Sequence, residues 1–166
     1  GDAAAAVHRR ALPRAARFLE RLGIRAPFFA VGEDLELAET RALVGDLARA
    51  GHEIANHPWS HQYDLTRLDP GTRASEIDRG ADAVEAATGA RPRGFRAPGY
   101  NLTAPLVALL ADRGYRYDSS VFPSPLYLSA KAAAMGWKAL RGTPSRSVLG
   151  DPRILTAPRL PFRLGD

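Results

Sequence analysis

Two histidines stand four residues apart in the segment GHEIANHPWSH, which spans residues 51–61. The alternating residues from His52 to Asn56 predict a β-strand that ends just before His57. Pro58 suits the first position of a helical turn and cannot donate a ladder hydrogen bond, so a turn after the strand would bring the rings of His57 and His61 together. Such a pair can bind a zinc ion. Because a zinc site needs at least three protein ligands, the spacing alone leaves a structural role open.

A second set of reactive side chains lies in GFRAPGYN, residues 94–101. Arg96 ends a predicted buried strand, where a guanidinium is costly unless a carboxylate meets it. Asp118 ends the next predicted strand, in YRYDSS, and is the expected partner of Arg96. The two would form either a catalytic pair or a structural ion pair. The turn that contains Gly99 presents backbone N–H groups at the same opening, and such groups stabilise oxyanions.

Short apolar segments alternate along the chain with amphipathic ones. This alternation predicts the strands and helices that position the residues of the site. The predicted strands are residues 26–32, 53–57, 93–99 and 115–120. The predicted helices are residues 13–22, 39–50, 72–88, 102–113 and 126–140. Regular alternation of this kind indicates parallel strands joined by right-handed crossovers, in either an open doubly wound sheet or a barrel. Both architectures place functional residues at the carboxyl ends of strands, which is where the histidine pair, the RAPGY turn and Asp118 fall.

Composition indicates one globular domain of ordinary type, with 45% hydrophobic and 25% charged residues in 166. No run approaches the roughly 20 apolar residues of a membrane span, so we predict none. The chain has no cysteine, which leaves nitrogen and oxygen ligands for any metal. The net charge of +5 comes from arginines scattered among acidic residues, with only Lys131 and Lys138 as lysines. We therefore predict a solvated surface and no nucleic-acid partner.

The alternation of strands and helices weakens after residue 120. Residues 143–166 contain four prolines and predict extended or loop structure, with RILTA, residues 153–157, as an edge strand. We therefore predict a domain over residues 1–142 and a Pro/Arg-rich extension or insertion over residues 143–166.

Four segments together resemble a known family. GIRAPFFAVG, GHEIANHPWSH, GFRAPGYN and YRYDSSVFP, in this order and spacing, are similar to the NodB-homology domain of polysaccharide deacetylases, carbohydrate esterase family 4. The resemblance covers about residues 11–122. It implies a distorted (β/α) barrel with fewer than eight regular strands, incomplete at both ends in this chain. It also implies removal of N-acetyl groups from a polysaccharide or peptidoglycan-type glycan, with a divalent metal, usually zinc, as cofactor.

The resemblance assigns roles to five residues of the predicted site. His57 and His61 match the two histidine ligands of the family's metal. Arg96 matches the arginine that orients the catalytic aspartate, and Asp118 fits its acidic partner. The backbone N–H of Gly99 would help to hold the oxyanion that forms during amide hydrolysis.

Two aromatic residues complete the implied site. Trp59 and Tyr100 would line the groove, where an aromatic face packs against a sugar ring. A plain core role for Trp59 is an equally good interpretation. The implied reaction is metal-assisted amide hydrolysis, in which an aspartate takes a proton from water and a histidine protonates the leaving amine.

The chain departs from the family pattern in three places. The Asp-Asp pair of the first motif should precede Pro13, where the chain has only Asp2. No histidine follows His61 to serve as the general acid. Pro58 replaces the usual Ser or Thr of the second motif and removes a hydroxyl that would brace the turn.

Three interpretations of these departures remain open. The chain is a segment of a longer deacetylase, or a family member that binds a metal or a sugar without catalysis, or a metal-independent relative that acts on a small cyclic or linear amide.

Overall fold

The structure is a computed structural model that describes residues 7–143 and 145–158. It contains these α-helices: α1 (Leu12–Arg21), α2 (Ala38–Arg49), α3 (Pro70–Thr88), α4 (Ala104–Asp112) and α5 (Pro125–Leu140). It contains these strands: β1 (Pro27–Ala30), β2 (Glu53–Asn56), β3 (Gly94–Phe95) and β4 (Tyr117–Asp118). A π-helical turn at Val7–Ala11 leads into α1, and short 3-10 turns lie at Glu33–Glu36, Leu65–Arg67, Pro98–Tyr100 and Pro152–Thr156.

The four strands form one parallel sheet in the order β1-β2-β3-β4. Its register pairs Ala30 with Asn56, Asn56 with Phe95, and Phe95 with Asp118. The carboxyl ends of all four strands therefore lie along one edge, which is the general location of ligand sites in parallel sheets. The predicted parallel α/β class is confirmed.

Helix α3 links the two parts of the core. Its Ile77 packs in a cluster with Phe95 and Leu106, all of them fully buried. One side of the same helix contributes the fully buried Val84 to a second cluster, around Leu47. Since each buried side chain of this size stabilises the fold by about 1.5–3 kcal/mol, these contacts fix α3 firmly against the sheet.

Two local predictions were wrong. Helix α3 begins at Pro70 rather than at residue 72, because Asp69 is its N-cap and accepts a hydrogen bond from the Thr72 amide at 3.0 Å. The predicted edge strand at residues 153–157 is instead the 3-10 turn Pro152–Thr156. There Asp151 caps the turn by accepting from the Arg153 amide, and Pro152 has no N–H to donate to a sheet.

The carboxyl-terminal part of the described chain is helical and then irregular. Helix α5 ends at Leu140, close to the predicted boundary after residue 142, and that boundary stays a prediction. Residues 159–166 of the predicted extension lie outside the described residues. None of the helices within the described ranges is long and apolar enough to span a membrane.

Candidate active site

The two histidines of the predicted metal pair lie side by side at the carboxyl end of β2. The ring centroids of His57 and His61 are 4.6 Å apart, and the rings are inclined by 68°. The His57 amide donates to the Ala30 carbonyl at 2.9 Å, which continues the sheet ladder past the strand. His61 has φ +53, a left-handed backbone conformation that turns its side chain back toward His57. The structure therefore brings together the two residues that the spacing predicted.

The His57 ring has a fixed tautomer. Its Nδ1 lies 2.6 Å from the backbone carbonyl oxygen of Arg96, and a carbonyl only accepts hydrogen bonds. Nδ1 therefore carries the proton, and the lone pair is on Nε2. Metal-binding histidines usually make this kind of bond with the nitrogen that does not bind the metal.

Burial keeps the histidine pair neutral. It lowers the pKa of His57 to about 4, and the adjacent His61 and Arg96 charges add to this, while the bond to the Arg96 carbonyl opposes it. Burial also lowers the pKa of His61, against the opposing charge of Asp34. Both imidazoles are therefore mainly uncharged at pH 7, which is the form that binds metals.

The residues present fit part of a metal site. Neutral imidazoles with one fixed tautomer suit two ligand positions. In the described ranges, no group of three or more His, Asp or Glu side chains is arranged to hold a metal ion. Among the described residues, His57 and His61 could thus provide two of the at least three protein ligands that a zinc site needs, and their binding of a metal stays a prediction.

The loop between the histidines is held by helix α3. Glu76, only 7% exposed, accepts hydrogen bonds from both the amide and the hydroxyl of Ser60 at 2.9 Å. The Glu76 carbonyl accepts from the Trp59 amide at 2.9 Å. No local pattern indicates the contact of Glu76 with Ser60, which depends on how α3 packs.

Removing this carboxylate should destabilise the protein. We expect Glu76→Ala to lower the free energy of unfolding by about 1–3 kcal/mol, because the half-buried Ser60 donors lose their acceptor. Urea denaturation followed by circular dichroism measures the change. The control is Glu85→Ala on the same helix, where an exposed carboxylate contacts Arg91 at 2.9 Å and is expected to contribute less than about 1 kcal/mol. Equal losses in the two variants would contradict the role of Glu76.

The predicted ion pair between Arg96 and Asp118 is not present in the described part of the chain. Instead, the Arg96 guanidinium donates to Ser119, from Nε to the carbonyl at 3.2 Å and from Nη2 to Oγ at 2.7 Å. It also lies 4.0 Å from the centroid of the Phe29 ring. Asp118 accepts from the amide and hydroxyl of Ser120 at 2.7 and 2.6 Å. Ser119 thus accepts the hydrogen bonds of Arg96, and Ser120 donates those that Asp118 accepts, in place of the predicted ion pair.

The positive charge of Arg96 affects the pKa of Asp118 although the two side chains form no ion pair. Burial raises the pKa of Asp118, while its bonds to Ser120 and the positive charge of Arg96 oppose the rise. The fully buried Ser120 hydroxyl also accepts from the Ala97 amide at 2.7 Å, so Asp118 braces the segment that follows β3. These bonds give Asp118 a positioning role, and a role in catalysis stays a prediction.

The predicted oxyanion turn has the backbone conformation of a glycine position. Gly99 has φ +67, and a Cβ added there would lie 3.0 Å from the Tyr63 ring. Tyr63 in turn contacts the His61 ring edge-on, with centroids 5.0 Å apart. The turn therefore lies next to the histidine pair, as the sequence predicted. The role of its N–H in catalysis stays a prediction.

The two predicted sugar-binding aromatics lie in different surroundings. Tyr100 stacks on Phe122, with centroids 5.1 Å apart, beside the Gly99 turn. The Trp59 ring is covered by the Arg79 guanidinium at 4.0 Å and packs so closely on Gly32 that a Cβ there would lie 2.8 Å from the ring. These contacts favour the core interpretation of Trp59 over a sugar-binding one.

Comparisons with known proteins agree with the geometry. The family model for polysaccharide deacetylase matches residues 2–117. The peptidoglycan deacetylase-like protein FGM2 of Gibberella zeae is 37% identical over 112 residues, which cover 65% of this chain and 32% of that protein. The chain thus spans about a third of the length of this relative.

Solved structures share the fold. A family 4 carbohydrate esterase from Streptomyces lividans, in complex with acetate, matches with 31% identity and a TM-score of 0.56, over 61% of this chain and 52% of that one. The CE4 family pseudoenzyme BA3943 of Bacillus anthracis matches with 23% identity and a TM-score of 0.58, over 64% and 37% of the two chains. The second likeness shows the fold alone.

Proposed function

The chain belongs to the polysaccharide deacetylase family, and from this premise we propose that it forms part of a metal-dependent hydrolase that removes N-acetyl groups from a glycan. Catalytically active members of the family are hydrolases that act on C–N bonds. The observation that carries the proposal is the position of the His57 ring, whose Nδ1 lies 2.6 Å from the Arg96 carbonyl oxygen and whose centroid lies 4.6 Å from that of His61. A polysaccharide or a peptidoglycan-type glycan is the proposed substrate.

In this proposal His57 and His61 hold a divalent metal, which we take to be zinc. When bound, the metal polarises the acetyl carbonyl and activates water as a Lewis acid. The His57 ring is ready for this task because its bond to the Arg96 carbonyl fixes its orientation and burial keeps it unprotonated. A third ligand, a general base and a general acid are required in addition.

Arg96 and Gly99 have supporting roles in the proposed reaction. Two N–H groups of Arg96 bind Ser119, which leaves others of its five to orient a catalytic carboxylate. The backbone of the Gly99 turn donates to the negative charge that develops on the acetyl oxygen. Tyr100, beside this turn, packs against the sugar ring.

A second candidate function follows from the incomplete ligand set. Since the described residues supply only two ligands, a member that binds a metal or a glycan without hydrolysis is the main alternative. A metal-independent hydrolase that acts on a small cyclic or linear amide is the other.

Acetate release separates these functions. The full-length gene product is incubated with chitin oligomers and with N-acetylated peptidoglycan, with zinc, with chelator, and with zinc restored after the chelator. We expect release of acetate that the chelator abolishes and zinc restores. Binding of glycan without acetate release would support the non-catalytic function, and release that persists in chelator would support the metal-independent one.

A further inference from the structure

Helix α5 contributes to the candidate site although it lies outside the family match, which ends at residue 117. Its Tyr127 and Lys131 are four residues apart and therefore lie on the same face. Tyr127 contacts the Tyr100 ring edge-on, with centroids 5.4 Å apart. Lys131 donates from Nζ to the Gly99 carbonyl at 2.8 Å. This face of α5 thus reaches the two positions predicted to contact the substrate.

The ammonium group of Lys131 is partly desolvated and lacks a counterion in the described ranges. The side chain is half-buried, and burial lowers its pKa. Of its three N–H donors, one is used by the Gly99 carbonyl. No salt bridge within the described part of the chain involves Lys131. A half-buried cation of this kind gains from an anionic partner, because the anion offsets the cost of its partial desolvation.

An aromatic cluster borders this ammonium group. It consists of Tyr100, Phe122 and Tyr127, whose ring centroids are 5.1–5.4 Å apart. The Lys131 Nζ lies 5.7 Å from the centroid of Tyr127. Tyr100 and Tyr127 are half-buried, and 44% of Phe122 is exposed. Aromatic rings with polar tips at a partly wet surface suit a ligand that has both an apolar face and hydroxyl groups, as a sugar ring does.

We propose that Lys131 and this aromatic cluster form a subsite for a sugar residue that carries a carboxylate, and that Lys131 selects anionic over neutral glycans. The inference deepens the proposed function, on which it rests for the ligand being a glycan. Its physical basis is the juxtaposition of an unneutralised ammonium group with exposed ring surface next to the Gly99 turn. Lys131 acts on specificity, through direct contact with the ligand.

A purely structural role of Lys131 makes a different prediction. If its only task is to brace the Gly99 carbonyl, its removal disturbs the turn for every glycan alike. The affinities for neutral and anionic ligands then fall by the same factor. The ratio of the two affinities therefore distinguishes the two roles.

The test uses isothermal titration calorimetry on the full-length protein. One probe is the disaccharide of N-acetylglucosamine and N-acetylmuramic acid, whose lactyl group is a carboxylate, and the other is neutral N,N′-diacetylchitobiose. The variants are Lys131→Met, which keeps the length of the side chain without its charge, and Lys131→Arg. The matched control is Lys138→Met, an exposed lysine on the same helix.

We expect the wild type and Lys138→Met to prefer the anionic disaccharide by roughly tenfold, the size of one charge-assisted contact. Lys131→Met should reduce the preference to about one, and Lys131→Arg should keep most of it. An unchanged preference in Lys131→Met would overturn the proposal. Free acetate is a further probe. If Lys131→Met weakened the binding of acetate by as large a factor as it weakened the binding of the anionic disaccharide, the sugar subsite would be overturned in favour of a site that captures the product acetate.

The outcome is separable from that of the acetate-release assay. A Lys131-dependent preference without acetate release would leave the subsite established and the hydrolase function refuted. Acetate release, together with a preference for the anionic disaccharide that does not depend on Lys131, would support the hydrolase function and refute the subsite.

Discussion

Zinc binding by the full-length protein should fall by at least about 100-fold in affinity in the His57→Ala variant, because the change removes one of the few proposed direct ligands. His61→Ala should have an effect of the same order, since the two rings lie 4.6 Å apart and are proposed to bind the same ion. Acetate release should fall in parallel. The double variant should contain no less zinc than either single variant, because each single substitution already removes the metal.

Another histidine of this chain provides the control. His52 is 8% exposed, accepts from the Ala26 amide at Nδ1 and contacts the Phe28 ring edge-on. His52→Ala should therefore destabilise the protein by about 1 kcal/mol and leave zinc affinity unchanged. Zinc content after gel filtration and calorimetric titration measure the effects. Full zinc occupancy in both His57→Ala and His61→Ala would rule out this metal site.

A methyl group at Gly80 should damage both the fold and the site. Gly80 lies in α3 where the helix crosses the end of β2 and the histidine loop. A Cβ there would lie 3.0 Å from the carbonyl carbon of Pro58 and 3.2 Å from the Trp59 amide nitrogen, and it would overlap Asn56 Oδ1. Asn56 is fully buried and its Nδ2 donates to the Ile77 carbonyl at 2.9 Å, so it has no room to move away.

We therefore expect Gly80→Ala to lower the free energy of unfolding by about 1–3 kcal/mol, although alanine favours a helix over glycine by about 1 kcal/mol. Zinc affinity should fall as well, because relief of the overlap shifts the loop that carries the two histidines. Urea denaturation and zinc titration measure these effects.

Gly136→Ala in α5 is the matched control, because nothing lies within 4 Å of a Cβ at that position. It should be neutral or stabilise the protein by up to about 1 kcal/mol. If Gly80→Ala proved as stable as Gly136→Ala, the close approach of α3 to the histidine loop would be refuted.

The amino-acid sequence by itself determined the strand ends at which the site lies. Regular alternation of apolar and helical segments specifies parallel strands, and all parallel strands end at the same edge of the sheet. For this reason His57, Arg96 and Asp118 were correctly placed near one another without coordinates. The meeting of His57 and His61 was also predicted, but the helical turn expected to begin at Pro58 was wrong: residues 57–61 contain no helical turn, and His61 has a left-handed backbone conformation with φ +53.

The pairing of individual side chains depended on the tertiary structure. The expectation that Arg96 meets Asp118 was wrong because Ser119 and Ser120, directly after the strand, bind the two groups first. A sequence shows which residues end adjacent strands. It does not show in which direction each side chain leaves the sheet edge, and this direction decides which donor finds which acceptor.

Contacts between distant segments were also decided only by the tertiary structure. The Ser60 donors meet Glu76 because the packing of α3 on the sheet brings them together, and Lys131 meets Gly99 across 32 residues because α5 returns to the site. Local sequence patterns reflect backbone preference and the period of burial, which act over a few residues. Which helix covers which loop follows from packing of the whole core, and the support of the histidine loop and the aromatic border of the site both depend on that packing.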